Sequence, residues 1–494
     1  MSYYLLAIDQ GTTNSRAIIF DKAGRIIALH ELALTQSYPH DGWVEQSPQE
    51  MLANTIACCR AVLTQAKLDA KSIAAIGITN QRETTIIWDR KTGQPIYPAI
   101  VWQDRRTAAF CEQLAKTKLA SLIAEKTGLR LDPYFSASKI RWILDNVKNA
   151  REGAERGELL FGTIDTYLLW QLSQHKSHAT DASNASRTLL FNIHTQQWDD
   201  DLIKAFNIPE NILPAVLDNT AHFGDLDETI LGERIPIMAM VGDQQAACIG
   251  QACFSPGMVK ATYGTGAFML LNTGDHAVHS HHQLLSTVAY RINNKVTYGL
   301  EGSIFSAGST IKWLRDQLHF IKTAAESEVM ARELASTEGT YLIPAFTGLG
   351  APYWDPHARA ALMGLTNNTN PKHIVRAGLE SVVYQTRDLL DAMAKDSQFE
   401  ISILRVDGGM TMNTWLLQFL ADLLNIHVHR PQCIETTALG AAYLAGLQVG
   451  FYQSLDEIAA LWQMEMSFTA AMPEGEREQL YAGWKRAVGR VVDK

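Results

Sequence analysis

One unit, present twice, constrains this chain more than any other feature. Residues 4–8 (Tyr-Leu-Leu-Ala-Ile) and 17–20 (Ala-Ile-Ile-Phe) are short apolar runs on either side of Asp9-Gln10-Gly11-Thr12-Thr13-Asn14-Ser15-Arg16. Residues 258–263 and 267–271 flank Gly264-Thr265-Gly266 in the same way. Runs this short are strands, and turns of glycine and hydroxyl residues between them make each unit a hairpin. The pattern breaks at Phe254-Ser255-Pro256-Gly257. Two halves of similar plan are therefore expected, residues 1–250 and 251–494, alike in architecture without extended sequence identity.

Elsewhere strand-like and helix-like stretches alternate, which predicts an α/β fold. Ser47-Pro48-Gln49-Glu50 reads as a helix start, with Ser47 as N-cap, Pro48 in the first turn and Glu50 completing a capping box. A second long helix is expected from Asn370-Pro371. A chain of 494 residues, 47% hydrophobic and 19% charged, has ample material for two cores. Its net charge of −9 argues against nucleic acid as a partner. No apolar run approaches the roughly 18 residues of a membrane span, and the N-terminal stretch from Met1 to Asp9 lacks a basic region of the secretory kind. Six cysteines without a CxxC pair fit a reducing, cytoplasmic setting. Cys248 and Cys253 read as small core residues, and His279, His281 and His282 as a solvated loop.

Three turns have the chemistry of a phosphate or nucleotide site. In the first, Gly11 permits a positive φ, successive N–H groups can converge on an oxyanion, and Thr12 and Thr13 add hydroxyls. Arg16 offers a cation for β- or γ-phosphate oxygens. Asp9, ending an apolar strand, offers a carboxylate for Mg²⁺ through water. A plain hairpin turn is the alternative. Gly264-Thr265-Gly266 is the second turn, and Val406-Asp407-Gly408-Gly409, followed by Asn413, is the third, where a purine and ribose meet no Cβ. Neither G-x-x-x-x-G-K-[ST] nor G-x-G-x-x-G is present, so P-loop and Rossmann readings fail.

A second set suits adjacent hydroxyls. Arg82 and Glu83 follow the apolar run 75–78 and combine donors with acceptors, although a salt-bridged loop would look the same. Trp102 and Tyr134 offer flat faces for C–H bonds, or are ordinary core and rim residues. Asp243, after the apolar run 235–241, is an acceptor for an alcohol proton or a helix N-cap.

These segments resemble the FGGY carbohydrate kinases, and among them the members that act on glycerol. The likeness extends over essentially the whole chain. It includes Asp9-Gln10-Gly11-Thr12-Thr13, Gly77-Ile78-Thr79-Asn80-Gln81-Arg82-Glu83, Ile100-Val101-Trp102-Gln103, Gly242-Asp243-Gln244-Gln245, Tyr263-Gly264-Thr265-Gly266 and Val406-Asp407-Gly408-Gly409. The resemblance implies an actin/hexokinase-like (ribonuclease H-like) two-domain ATPase fold with a central cleft. It implies ATP and Mg²⁺ as cofactors and glycerol as acceptor, giving sn-glycerol 3-phosphate and ADP. By position, Arg82, Glu83, Tyr134, Asp243 and Gln244 would hold glycerol hydroxyls, with Trp102 and Phe268 on its carbons and Asp243 as general base. Thr12, Thr13, Asn14, Arg16, Thr265, Gly308, Lys312, Gly409 and Asn413 would line the nucleotide. Lys312 stands where the family usually has Gln. The segment 226–232 is acidic where some bacterial members carry a glycine/lysine-rich loop for fructose 1,6-bisphosphate. Relatives are commonly homodimers or homotetramers. Another polyol or sugar kinase of this fold, or a non-catalytic actin-like nucleotide switch, is the competing reading.

Overall fold

The first sheet contains six strands: β1 (Tyr4–Gln10), β2 (Asn14–Phe20), β3 (Ile26–Ala33), β4 (Ile73–Asn80), β5 (Thr220–Leu226) and β6 (Ile235–Gly242). Their order is β5-β6-β4-β1-β2-β3. The computed structural model describes residues 3–492; Met1 and Ser2, at the head of the N-terminal stretch discussed above, lie outside the described residues. The second sheet contains β7 (Val259–Tyr263), β8 (Ala267–Gly274), β9 (Leu285–Ile292), β10 (Lys295–Ile304), β11 (Ile403–Asp407), β12 (His427–Pro431) and β13 (Met464–Phe468). Its order is β9-β10-β8-β7-β11-β12-β13.

The two sheets share one plan. Each begins with an antiparallel hairpin, β1–β2 or β7–β8. The first strand of each then pairs in parallel with β4 or β11, and these pair in parallel with β6 or β12. A third antiparallel strand flanks each hairpin, and an antiparallel edge strand closes the far side. Central strands such as β1 and β4 are covered on both faces, which is why they read as unbroken apolar runs. The parallel strands end at Asp9, Asn80, Gly242, Tyr263 and Asp407 or within one residue of them, so their carboxyl ends gather the polar segments.

The helices that position the site are α1 (Pro48–Ala66), α2 (Ser136–Asn146), α3 (Asp243–Gly250), α4 (Gly308–Asp316), α5 (Pro371–Ser397), α6 (Thr414–Leu424) and α7 (Thr436–Gln448). Ser47 caps α1, accepting from the Glu50 N–H at 3.2 Å. The reciprocal half of the expected capping box does not form. Glu50 instead accepts from the Thr35 N–H and hydroxyl at 3.1 and 3.0 Å, which pins α1 beside the end of β3. Asn370 caps α5 with a complete box through His373.

Helix α7, from the second half, lies on the first sheet: Ala438, Leu439, Ala441 and Leu444 pack with Leu5, Ala7, Ala75 and Val241. Its backbone also touches α3. A Cβ on Gly440 would stand 1.9 Å from the Ala246 carbonyl, and one on Gly250 2.0 Å from that of Thr436. Both obstacles are backbone, so no side-chain rotation relieves them. Gly440→Ala gains about 1 kcal/mol of helix propensity and meets an overpacking cost of about 1–3 kcal/mol or more. The expected net result is a lowered Tm in calorimetry, and an unchanged or raised Tm would show that α3 and α7 separate freely.

Candidate active site

Both hairpin turns fold their carbonyls inward and leave amides outward. In the first, every carbonyl is turned inward to a donor. Gly11 O accepts from Gln81 Nε2 at 3.2 Å, Thr12 O from Gln46 Nε2 at 2.6 Å and Thr13 O from the Leu34 N–H at 2.8 Å. The Thr12 and Thr13 N–H groups have no partner among the described residues. In the second, Gly264 O and Thr265 O accept from the N–H groups of Gly308, Ala307 and Ser309 at 3.0 Å. The Thr265 and Gly266 N–H groups are likewise unpaired among the described residues. Carbonyls folded in and amides left out is the arrangement that receives phosphate oxygens. Gly11 achieves this without a positive φ, contrary to expectation. The close approach is at Gly266 and Gly308, whose Cβ atoms would each lie 2.5 Å from a carbonyl oxygen, Ile304 O and Gly264 O respectively.

The third turn joins the second. Gly408, at φ +91°, lies so close to Tyr263 that a Cβ would stand 2.5 Å from its carbonyl, whereas Gly409 faces open space. Asn413 is committed as the N-cap of α6, accepting from Leu416 N at 2.9 Å, with its amide nitrogen left over. Lys312 is exposed one turn beyond Gly308 on α4.

A cluster of aromatic and charged side chains adjoins the first turn. Trp102 donates from Nε1 to the Thr12 hydroxyl at 3.0 Å, tying the cluster to that turn. Its ring meets Tyr134 and Phe268 edge-on, with centroids 5.6 and 6.2 Å away. Tyr134 is carried into place by its turn: its N–H donates to Asp132 at 2.8 Å, and the buried Lys139 of α2 donates to the Tyr134 and Phe135 carbonyls at 2.6 and 3.1 Å. Burial pushes the Lys139 ammonium down to about 8. Burial also raises the Tyr134 hydroxyl pKa, so the phenol stays a neutral donor.

Asp243 is the first residue of α3, and Gly242 is its N-cap. One carboxylate oxygen accepts from the Gln244 N–H at 2.7 Å and stands 3.1 Å from Arg82 Nε. The other has no hydrogen bond among the described residues, and the side chain is 29% exposed. Arg82 is buried and Glu83 is held at φ +61°, a left-handed conformation costly for a glutamate and typical of a constrained site. Glu83 accepts from Arg187 Nε at 2.6 Å through one oxygen only. Burial raises its pKa against the pull of Arg82 and Arg187. Gln244 accepts from the buried Lys260, which also donates to Thr262 at 3.0 Å.

Arg16 is paired on two sides. Glu31 and Glu435 hold it at 3.0 and 2.9 Å, so it is a neutralised cation and not a free one. Asn14 donates to the same Glu31 at 3.0 Å. Asp9, 8% exposed, receives no side-chain hydrogen bond among the described residues. Burial pushes its carboxyl up to about 7; Glu435, Asp243 and Glu31 add to this and Arg16 opposes it. A carboxylate short of donors, at the end of the strand that enters the first turn, fits a hydrated divalent cation.

Among the buried charges that escaped the sequence reading are Arg187, Lys260 and Glu301. Each interrupts an apolar or small-residue run (Leu300-Glu301-Gly302 is one), and that interruption was the available signal. Cys248 and Cys253 are buried and unpaired. The histidine loop is less free than expected, since Asp396 binds the Ser280 hydroxyl, the His281 N–H and His282 Nδ1. No group of three metal-ligating side chains occurs among the described residues.

Known proteins resemble this chain along its whole length. The models of the FGGY carbohydrate kinase N- and C-terminal domains match residues 4–250 and 259–449. The chain is 59% identical over 493 residues to a glycerol kinase of Coxiella burnetii (strain Dugway 5J108-111), covering all of this chain and 98% of that protein. It is 57% identical to glycerol kinase 1 of Pseudomonas aeruginosa, with 99% of each covered. Its backbone superposes on Plasmodium falciparum glycerol kinase with ADP at a TM-score of 0.93 and 37% identity, covering 100% and 99% of the two chains. Gluconate kinase from Lactobacillus acidophilus, at TM-score 0.90 and 20% identity, shares the fold. The two sheets of one plan are thus the halves of an actin/hexokinase-like fold, and with both domain models matched in order the chain belongs to the FGGY family of carbohydrate kinases.

Proposed function

We propose that this chain transfers the γ-phosphoryl group of ATP to the terminal hydroxyl of glycerol, forming sn-glycerol 3-phosphate and ADP. The observation that carries the reading is the unbonded Asp243 oxygen, on a carboxylate 3.1 Å from Arg82 Nε and close enough to Asp9, where the strand enters the first turn, to push the Asp9 carboxyl up. Full-length identity of 57–59% to glycerol kinases selects glycerol within the family. Asp243 takes the proton of the attacking hydroxyl as its oxygen approaches phosphorus in line. Arg82 and Glu83 orient the vicinal hydroxyls, Tyr134 donates one hydrogen bond, and Trp102 and Phe268 cover the carbon chain and exclude water. The N–H groups of Thr12, Thr13, Thr265 and Gly266 receive phosphate oxygens; Gly308, Gly409, Asn413 and Lys312 form the adenosine side. Asp9 would hold Mg²⁺ through water, and the ion would offset charge on the β- and γ-oxygens. The unpaired cysteines support a reducing, cytoplasmic setting.

ADP formation measured with glycerol, dihydroxyacetone, erythritol or xylulose tests the reading. Glycerol is expected to give the highest kcat/KM, by about tenfold or more over the longer polyols. A best rate with xylulose would make the enzyme a sugar kinase, and ADP release independent of any acceptor would make it a nucleotide switch.

A further inference from the structure

Four buried side chains under the polyol pocket form a closed ring of alternating charge. Glu83 accepts from Arg187 Nε at 2.6 Å, and Arg187 Nη2 donates to Glu301 Oε1 at 2.8 Å. Glu301 takes both terminal nitrogens of Arg82: Nη2 donates to Oε1 at 3.2 Å, and Nη1 donates to Oε2. Arg82 Nε, 3.9 Å from Glu83, closes the ring. Every member is at most 2% exposed. Three belong to the first half of the chain, and Glu301 alone comes from the second, on β10.

The members differ in what they leave free. Glu301 spends both oxygens on guanidinium groups and retains none for a ligand. Glu83 spends one. Arg82 has its two terminal nitrogens fixed, so only Nε remains, without an in-line acceptor and pointed toward the Asp243 side of the pocket. Burial would push the Glu301 carboxyl up, but Arg187 and Arg82 overcome it and hold it below its usual range, so the anion persists. Without that anion two buried cations face each other, and Arg82 keeps only Gln245 Oε1, to which Nη1 already donates at 3.2 Å, and Asp243, 3.1 Å from Nε.

We infer that Glu301 is a positioning residue for the acceptor alcohol: reaching across the cleft, it clamps Arg82 and Arg187 so that Arg82 Nε and the free Glu83 oxygen face the substrate hydroxyls while Asp243 keeps an oxygen unbound. The inference rests on the reading of this cleft as a glycerol-phosphorylating site. It makes acceptor affinity depend on a side chain that touches no substrate, and leaves the nucleotide cradles out of its reach.

The test compares Glu301→Gln, and Arg187→Lys as the milder change, with the wild-type enzyme in steady-state kinetics with each substrate varied. Glu301→Gln is expected to raise the KM for glycerol about tenfold or more, with the KM for ATP within about twofold of wild type. Arg187→Lys keeps the charge but loses the fork, and should raise the glycerol KM by a smaller factor, about three- to fivefold. A general structural weakening would move both KM values or neither. The inference is overturned if either soluble variant keeps a wild-type glycerol KM, or if the ATP KM rises in parallel. Should Glu301→Gln not be recovered folded, Arg187→Lys decides by itself. A wild-type enzyme inactive on glycerol would sink the functional reading, whereas an active one with an unaffected Glu301→Gln variant sinks only the clamp.

Discussion

Asp243→Asn is expected to lower kcat by about 10²- to 10⁴-fold, the range a positioned general base contributes, with ADP binding close to wild type. The asymmetry follows from where the carboxylate stands. Its bonded oxygen accepts from the Gln244 N–H, a contact the Asn carbonyl reproduces, so the first turn of α3 has no reason to unwind. The oxygen that changes is the one without a partner, and replacing it with an amide removes the proton acceptor and adds a donor. The outward amides at Thr12, Thr13, Thr265 and Gly266 are built on other segments and are untouched. A coupled assay for turnover and calorimetry for ADP binding separate the two effects. Turnover within tenfold of wild type would remove Asp243 from the role of base; a parallel collapse of ADP binding would mean the substitution had disturbed the cleft as a whole.

Asp9→Asn should pull activity and stability in opposite directions. Burial, with Glu435, Asp243 and Glu31 adding to it and Arg16 opposing, pushes the Asp9 carboxyl from 3.8 up to about 7 in the folded protein. Between about pH 4 and pH 7 the folded protein therefore holds a proton that the unfolded chain has released, so this group makes stability fall as pH rises through that window. Above about 7 the full penalty is present, with a ceiling of about 4 kcal/mol at 1.36 kcal/mol per unit. A neutral amide escapes it. The ligand-free variant should melt above wild type at pH 8, with a much smaller gap at pH 5. The same change removes the carboxylate offered to a cation beside the phosphates, and kcat/KM for ATP should drop by about 10²-fold or more. Equal melting differences at the two pH values would contradict the electrostatic account. An active, stabilised variant would remove Asp9 from phosphate chemistry.

What was legible in the sequence was local. The hairpins at 4–20 and 258–271 announced themselves because apolar runs and glycine turns are contiguous, and the cap at Ser47 and the helix start at Asn370-Pro371 need only the next few residues. Arg82, Glu83 and Asp243 stand out as candidates because they follow apolar runs, where an open α/β sheet presents its ligands, Trp102 because its setting is polar and Tyr134 because it adjoins a proline turn. What escaped depends on contacts between distant segments. Arg16 reads as a cation for phosphate oxygens, and nothing local announces that Glu435, 419 positions away, pairs with it. Glu301 meets Arg82 across 219 positions, and neither residue alone says so. Glu50 has a local reason to bond back to its own helix, yet Thr35 on the neighbouring strand end wins it. Gly11 illustrates a subtler limit: its presence signals a tight turn, but the dihedral it adopts follows from how Gln46 and Gln81 draw in the surrounding carbonyls.

The seat of α7 beneath the first sheet bears on how such a chain can be divided. A fragment ended at residue 250 would keep all six strands of that sheet yet lose the apolar blanket supplied by Ala438, Leu439, Ala441 and Leu444. Leu5, Ala7, Ala75 and Val241 would then meet water. Such a fragment is expected to be less soluble and less stable than the whole chain, and a substitution at Gly440 bears directly on the helix whose first residue is Asp243.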